Sequence, residues 1–389
     1  MNSTTDRKHF APALRGGALA FFFLAATLLV APVHAQQLKQ LPPPPPIPIF
    51  KPKPTPTPAP TPAPEYEVIR VTSNLVVVPV SVTDAEGQPV LGLKQNDFRV
   101  VEEGRAQEIA EMGDPEQVPL DIAILIDVSS SVSEKFAFEE EAATRFLKQV
   151  LRPTDSATVY AIDRTPRLEQ ARGSAAAAAA KLLTIKAATG PSPTAYYDTV
   201  IEAARYLAKN TPEQHRRVLV VISDGEDNFS NRVRDSSVAA YRASQADEND
   251  VSPAAKARVR AASEAALREG HQKAQAEVQR EVQTANVVFY AINPGGESIK
   301  LNVISTKAQN AMQQLATATG GTAFVPAKIE DLETVFSRIA SELRAQYLLQ
   351  YYSNSGSSGG GAYRHISITM PTQPNLRIRT REGYYPKAK

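Results

Sequence analysis

The chain has 389 residues, 43 of them basic and 41 acidic, and no cysteine. That length suits one full-sized domain plus a smaller one, and the missing cysteine excludes disulfides, thiolate metal sites, cysteine nucleophiles and a lipid anchor on cysteine. The first 35 residues hold three of the basic and one of the acidic residues, so the remainder is neutral, which argues against nucleic acid or anionic lipid as the main partner.

Residues 1–35 read as an export signal. Arg7, Lys8 and Arg15 precede an almost unbroken apolar run from Ala18 to Ala31, and Val33-His34-Ala35 supplies small residues for cleavage. The alternative is an uncleaved anchor, but the run is shorter than the ~20 residues that span a bilayer, and no later segment approaches that length. The expected location is secreted or periplasmic. Residues 36–64 form a tether: Pro42 to Pro46 is unbroken proline, and proline recurs at nearly every second position up to Pro64, which favours extended polyproline II.

Residues 65–116 read as β structure. Leu75-Val76-Val77-Val78-Pro79-Val80-Ser81-Val82 is rich in branched residues, and Asp84-Ala85-Glu86-Gly87 and Glu103-Gly104 supply turns. From 117 to 346 apolar strands alternate with helical stretches, the signature of a parallel sheet covered by helices. Strands are expected at 120–127, 157–163, 217–223, 286–293 and 322–325, and helices at 134–151, 174–186, 196–209, 305–319 and 329–345. Residues 347–389 return to β structure at 347–352, 363–370 and 376–381, with Gly383-Tyr384-Tyr385 closing and a flexible hairpin loop at 355–361. The predicted fold is α/β, a doubly wound, mainly parallel, Rossmann-like sheet. Neither the N-terminal nor the C-terminal strands suffice for a core alone, so the two sets are expected to pair into one small β-sandwich around the inserted α/β domain.

The apolar strand Ile122-Ala123-Ile124-Leu125-Ile126 runs into Asp127-Val128-Ser129-Ser130-Ser131. Asp127, Ser129 and Ser131 thus stand at alternate positions beyond its carboxyl end, the edge where open α/β sheets bind ligands. Val218-Leu219-Val220-Val221-Ile222 ends likewise in Ser223-Asp224-Gly225, and Thr194 places a hydroxyl just before a helix. These are all hard oxygens with only two carboxylates among them, which suits Mg²⁺, and less sharply Ca²⁺ or Mn²⁺, and leaves the ion electrophilic. Such an ion can complete its shell with a partner's carboxylate.

Asp127-Val128-Ser129-Ser130-Ser131, Thr194 within Thr194-Ala195-Tyr196-Tyr197-Asp198, and Asp224-Gly225 resemble the metal-ion-dependent adhesion site of von Willebrand factor type A domains. The wider pattern, including Gly87-Gln88-Pro89-Val90, Asp97-Phe98 and the Gly383-Tyr384-Tyr385 ending, resembles bacterial VWFA-related exported proteins over about residues 68–386. The resemblance implies that Asp127, Ser129, Ser131 and Thr194 surround a divalent ion directly or through water, with Asp224 acting through water. Prolines at 191 and 193 depart from the glycine usual before the threonine.

Glu226 and Asp227 are expected to be solvated loop residues. His215, His271 and His365 lack zinc-ligand spacing. No Gly-x-Ser-x-Gly elbow is present, and Ser129 stands where a phosphotransferase would want a second acid, so enzymatic activity is not expected. Residues 231–283 exceed what a crossover needs and read as one or two exposed helices that could shape partner choice at the metal edge. The expected function is an exported, metal-dependent binding or adhesion module for an exposed Asp or Glu of a partner protein. The alternatives are a structural envelope protein whose metal only stabilises loops, and a metal-assisted hydrolase.

Overall fold

The computed structural model describes residues 75–129, 136–190, 192–245, 252–295, 303–354 and 361–386. The expected export signal and tether, Ser131 and nearly all of the 355–361 loop lie outside the described residues. The N-terminal strands are β1 (Leu75–Thr83), β2 (Arg99–Glu102), β3 (Arg105–Gln107) and β4 (Ile109–Gly113). There follow β5 (Leu120–Asp127), α1 (Phe136–Val150), β6 (Ser156–Ile162), β7 (Arg167–Gly173), α2 (Ala175–Leu182), α3 (Tyr196–Asn210) and β8 (Arg216–Ile222). The chain continues with α4 (Asn231–Gln245), α5 (Pro253–Thr284), β9 (Val287–Ile292), α6 (Val303–Thr319), β10 (Ala323–Phe324) and α7 (Leu332–Ala345). It closes with β11 (Tyr347–Tyr352), β12 (Arg364–Thr369), β13 (Arg377–Thr380) and β14 (Gly383–Tyr384).

Every residue of β5 is buried, because helices cover both faces of the sheet it centres. Its side chains alternate: Ile122, Ile124 and Ile126 enter a core with α1, α2 and α7, while Ala123 and Leu125 enter another with α3, α5 and α6. The sheet order is β10-β9-β8-β5-β6-β7, parallel except for β7. After β5 the chain moves to β6 on one side, and later returns to β8 on the other. The order therefore reverses between β5 and β8, and switch points of this kind form a crevice beyond the strands' carboxyl ends. The fold is the expected α/β architecture, and among the described residues no helix is long and apolar enough to cross a membrane.

The flanking strands join as predicted. β1 pairs antiparallel with β11 and β13, giving the sheet β13-β1-β11-β4, and β12 joins β2 in a second sheet ordered β14-β12-β2-β3. Val76, Val78, Val80 and Val82 share one core with Val100, Leu349, Tyr351, Ile366 and Ile368, so strands from both parts of the chain bury each other.

Two features differ from the sequence reading. β7 is an antiparallel edge strand that sequence pattern does not announce, since Arg-Leu-Glu-Gln-Ala-Arg-Gly lacks both branched residues and a buried face. The 231–283 insertion forms α4 and α5, but only part of it is exposed. Ala274, Val278 and Val282 of α5 lie in the core with α3 and β9, so the C-terminal half of this helix is the crossover itself.

Candidate metal centre

Asp127 ends β5 and is fully buried. One carboxylate oxygen accepts the Ser129 N–H at 2.9 Å, and the other accepts the Ser223 hydroxyl at 2.7 Å. The second bond follows from register: Ile126 pairs with Ile222, so the next residues out, Asp127 and Ser223, face each other at the crevice. The strand exit is held by the Val128 N–H donating to Ile162 at 3.2 Å and the Ala188 N–H donating to the Val128 carbonyl at 2.7 Å. Burial pushes the Asp127 carboxyl above the usual carboxylate range. The Ser129 and Ser223 donors oppose that shift, and the negative charge of Asp163 adds to it.

The β8 exit turns sharply at Gly225, which has φ +76°, and a Cβ there would lie 2.8 Å from the Met312 side chain. Only glycine meets both demands. Its N–H donates to Ser223 Oγ at 3.0 Å, while half-buried Asp224 accepts the Glu226 N–H at 2.9 Å. Asp227 then corrects the expectation of a solvated loop residue. It is buried and accepts the N–H groups of Tyr197 at 2.8 Å, Phe229 at 3.2 Å and Ser230 at 2.9 Å, plus the Ser230 hydroxyl at 2.5 Å. Glu226 is half-buried and accepts the Ser305 hydroxyl.

The Asp227 bonds do two jobs. Tyr197 is the second residue of α3, and its N–H is one of the orphan donors of that helix start, so Asp227 caps α3 from a neighbouring loop. In return Asp198 of α3 accepts the Asn231 N–H at 3.0 Å at the start of α4. The two helix starts are thereby locked to each other.

Thr194 is buried between these loops. Its N–H donates to Asn228 Oδ1 at 2.8 Å, and its carbonyl accepts the N–H groups of Asn228 and Phe229, each at 3.1 Å. The next residue, Ala195, donates its N–H to the Asp163 carbonyl just beyond β6 at 2.9 Å. Tyr196 is buried with its hydroxyl unpartnered among the described residues. Burial pushes its pKa far above the ordinary phenol value, and the charges of Asp227, Asp127 and Asp224 push the same way.

The structure thus sets Asp127, Ser129, Thr194 and Asp224 on three loops of one sheet edge, tied together by Ser223 and Asn228. Ser131 lies outside the described residues. Among the described residues no group of three or more His, Cys, Asp or Glu side chains is placed to hold a metal ion, and the four candidates are two carboxylates and two hydroxyls. Sequence reasoning missed Ser223, Asp227, Asn228 and Tyr196. Aligning the strand ends would have found Ser223, and Asp227-x-x-Ser230 has the spacing of a local cap.

Residues 122–226 match the family model of the von Willebrand factor type A domain. No curated protein matches the chain. Among solved structures, a von Willebrand factor type A protein from Catenulispora acidiphila is 13% identical with a TM-score of 0.41, over 82% of this chain and 64% of that one. Proximal thread matrix protein 1 from the mussel byssus, with a zinc-occupied MIDAS motif, is 13% identical with a TM-score of 0.38, over 62% and 50%. The vWF domain of the type V pili tip protein Mfa5 from Porphyromonas gingivalis is 12% identical with a TM-score of 0.38, over 57% and 94%. The chain spans about half the length of the mussel protein.

Proposed function

From a chain whose residues 122–226 match the von Willebrand factor type A domain model, we infer a metal-dependent protein-binding module that captures a carboxylate of a partner. The residues fit a hard divalent cation. The donors are carboxylate and hydroxyl oxygens with no sulfur or imidazole among them, and the buried Tyr196 hydroxyl beside them has a bond still to make. Asp127, Ser129, Ser131 and Thr194 would hold the ion, directly or through water, with Asp224 acting through water. Mg²⁺ suits this set, with Ca²⁺ and Mn²⁺ as substitutes. When bound, the ion supplies an electrophilic coordination position for an anionic oxygen.

The chain's own residues do the rest. Asp127 brings charge that its neighbours offset only by dipoles, Ser223 and the Ser129 N–H fix its two oxygens, and Asp227 and Asn228 keep the Thr194 loop from drifting. The carrying observation is Asp127: a carboxylate wholly withdrawn from water at a ligand-binding edge, where burial opposes its charge. On this reading the export signal and proline tether present the module outside the cytoplasm, in the periplasm or beyond.

Calorimetric titration with Mg²⁺ and thermal melts with and without chelator test the inference. Wild type should bind one ion and melt several degrees higher with it, since saturation at 100 Kd contributes about 2.7 kcal/mol. Asp127→Asn should bind no ion while melting, without metal, at or above the wild-type temperature, because a buried charge has been removed. A variant that binds Mg²⁺ as wild type does would refute the assignment.

A further inference from the structure

Phe229 lies in the loop that holds Thr194, and its N–H donates to the Thr194 carbonyl at 3.1 Å. Two guanidiniums stack on its ring: Arg164, just past β6, at 4.8 Å from the centroid, and Arg234, in the first turns of α4, at 5.1 Å. Both arginines are exposed, and neither makes an ion pair among the described residues. Among the described residues the Arg234 guanidinium donates to the neutral Asn231 Oδ1 at 2.8 Å. Three neighbouring carboxylates already hold donors. Asp163 accepts the Arg164 backbone N–H and pairs with Arg167 at 2.6 Å, Asp198 accepts the Asn231 N–H, and Asp227 is saturated by four donors.

Two like charges gathered on one ring repel each other, and among the described residues no carboxylate forms an ion pair with either. Planar guanidiniums held against an aromatic face keep their outer N–H groups free to grip carboxylates in pairs. From Arg234 the outer stripe of α4 runs on through Val238 and Tyr241, which are 48% and 65% exposed, while Val233 and Ala240 turn inward. At 1.5 Å per residue this apolar continuation reaches about 10 Å beyond the arginine.

We propose that Arg164 and Arg234, set on Phe229, form a second anion subsite beside the candidate metal centre, and that the partner segment carries several consecutive carboxylates followed by apolar residues that lie along Val238 and Tyr241. The proposal rests on the metal-dependent reading for the first carboxylate. It adds the partner's sequence character: one carboxylate goes to the ion edge, its neighbours go to the arginines, and the apolar tail goes to α4. Charge complementarity selects an acidic protein segment here, because a single metal-edge contact alone would not discriminate among partners.

The test uses a fluorescein-labelled peptide of three consecutive aspartates followed by leucine and phenylalanine, and a second peptide with two of the aspartates changed to asparagine. Anisotropy is read in Mg²⁺ and in chelator. Wild type should bind the first peptide roughly tenfold more tightly than the second, as two exposed ion pairs allow. The double variant R164Q/R234Q should lose that margin while its melting temperature, its Mg²⁺ affinity and its affinity for the one-aspartate peptide stay within twofold or a degree of wild type. An unchanged margin in the double variant overturns the proposal, and so does failure of the three-aspartate peptide to bind at millimolar concentration. A margin that survives chelator and Asp127→Ala but vanishes in R164Q/R234Q upholds the arginine subsite and removes the metal reading instead. Tighter binding of a phosphopeptide or of single-stranded DNA than of the acidic peptide overturns the carboxylate assignment.

Discussion

Asp127 and Asp227 are both buried carboxylates at the strand-end loops, yet only one is legible in the sequence. Asp127 declares itself because an apolar strand ends on it and hydroxyls follow at alternate positions. Asp227 sits in a turn-rich stretch where a solvated carboxylate is the ordinary outcome, and its burial depends on α3 arriving from elsewhere with an uncapped N–H. Contacts of that kind have no signature in local sequence. Tyr197, whose N–H Asp227 accepts, also meets His271 of α5, ring edge-on at 6.0 Å and with Nδ1 3.4 Å from the Tyr197 hydroxyl. Burial lowers the His271 pKa below the ordinary 6.5, with Asp227 opposing and Lys307 assisting. The folded state therefore favours neutral imidazole, and the unfolded chain takes up the proton first on acidification. Its contribution is complete above about pH 6.5, falls as pH drops from there through the lower folded pKa, and is constant below. Urea midpoints at pH 7.5 and pH 5.0 should differ less for His271→Gln than for wild type. An equal or larger difference would show that this ring is not titrating as described.

The α4–α5 hairpin shows what helical pattern conveys and what it omits. Composition announced helices at 231–283, and Val278 and Val282 were visible as a thin apolar line. How far the hairpin was core was hidden, because alanines and a glycine carry much of the packing. At Gly270 a Cβ would come within 2.1 Å of the Ser236 hydroxyl and 2.4 Å of its Cβ, so the two helices cross where neither tolerates bulk. Replacing glycine by alanine inside a helix ordinarily gains about 1 kcal/mol. At this crossing the sign should reverse: Gly270→Ala should lose about 1–3 kcal/mol by chemical denaturation, and adding Ser236→Gly should recover most of the loss. A stabilising Gly270→Ala would mean the helices are not in contact there. β7 stayed illegible for the opposite reason. An edge strand with both faces partly wet needs no alternation, and its charges guard the edge against pairing with other chains.

At the scale of the whole molecule, the pairing of the flanking strands was readable from counting alone, since neither set could close a core. Which residues weld the sandwich to the α/β domain was not. Glu342 of α7, almost fully buried, accepts the Tyr290 hydroxyl of β9 at 2.5 Å and the Ser81 hydroxyl of β1 at 3.2 Å, and pairs with Arg379 of β13. One carboxylate therefore joins an α/β strand, an α/β helix and two sandwich strands. Residues 70–389 form one compact unit, and calorimetry should show a single unfolding transition. Glu342→Ala strands Tyr290 and Arg379 and should cost about 2–4 kcal/mol, with the single transition broadening or splitting as the two parts uncouple. An unaltered sharp transition at the wild-type temperature would show that the weld lies elsewhere.

The pairing of β1 also governs how the polypeptide is made. Val80 gains its ladder neighbour only once Tyr347 has left the ribosome, and its other edge waits for Thr380. A product released early displays a valine-rich strand open on both sides, the type of segment that chaperones grip and that drives aggregation or proteolysis. Truncation before Tyr347 should therefore lower solubility, because it leaves both edges of β1 unpaired.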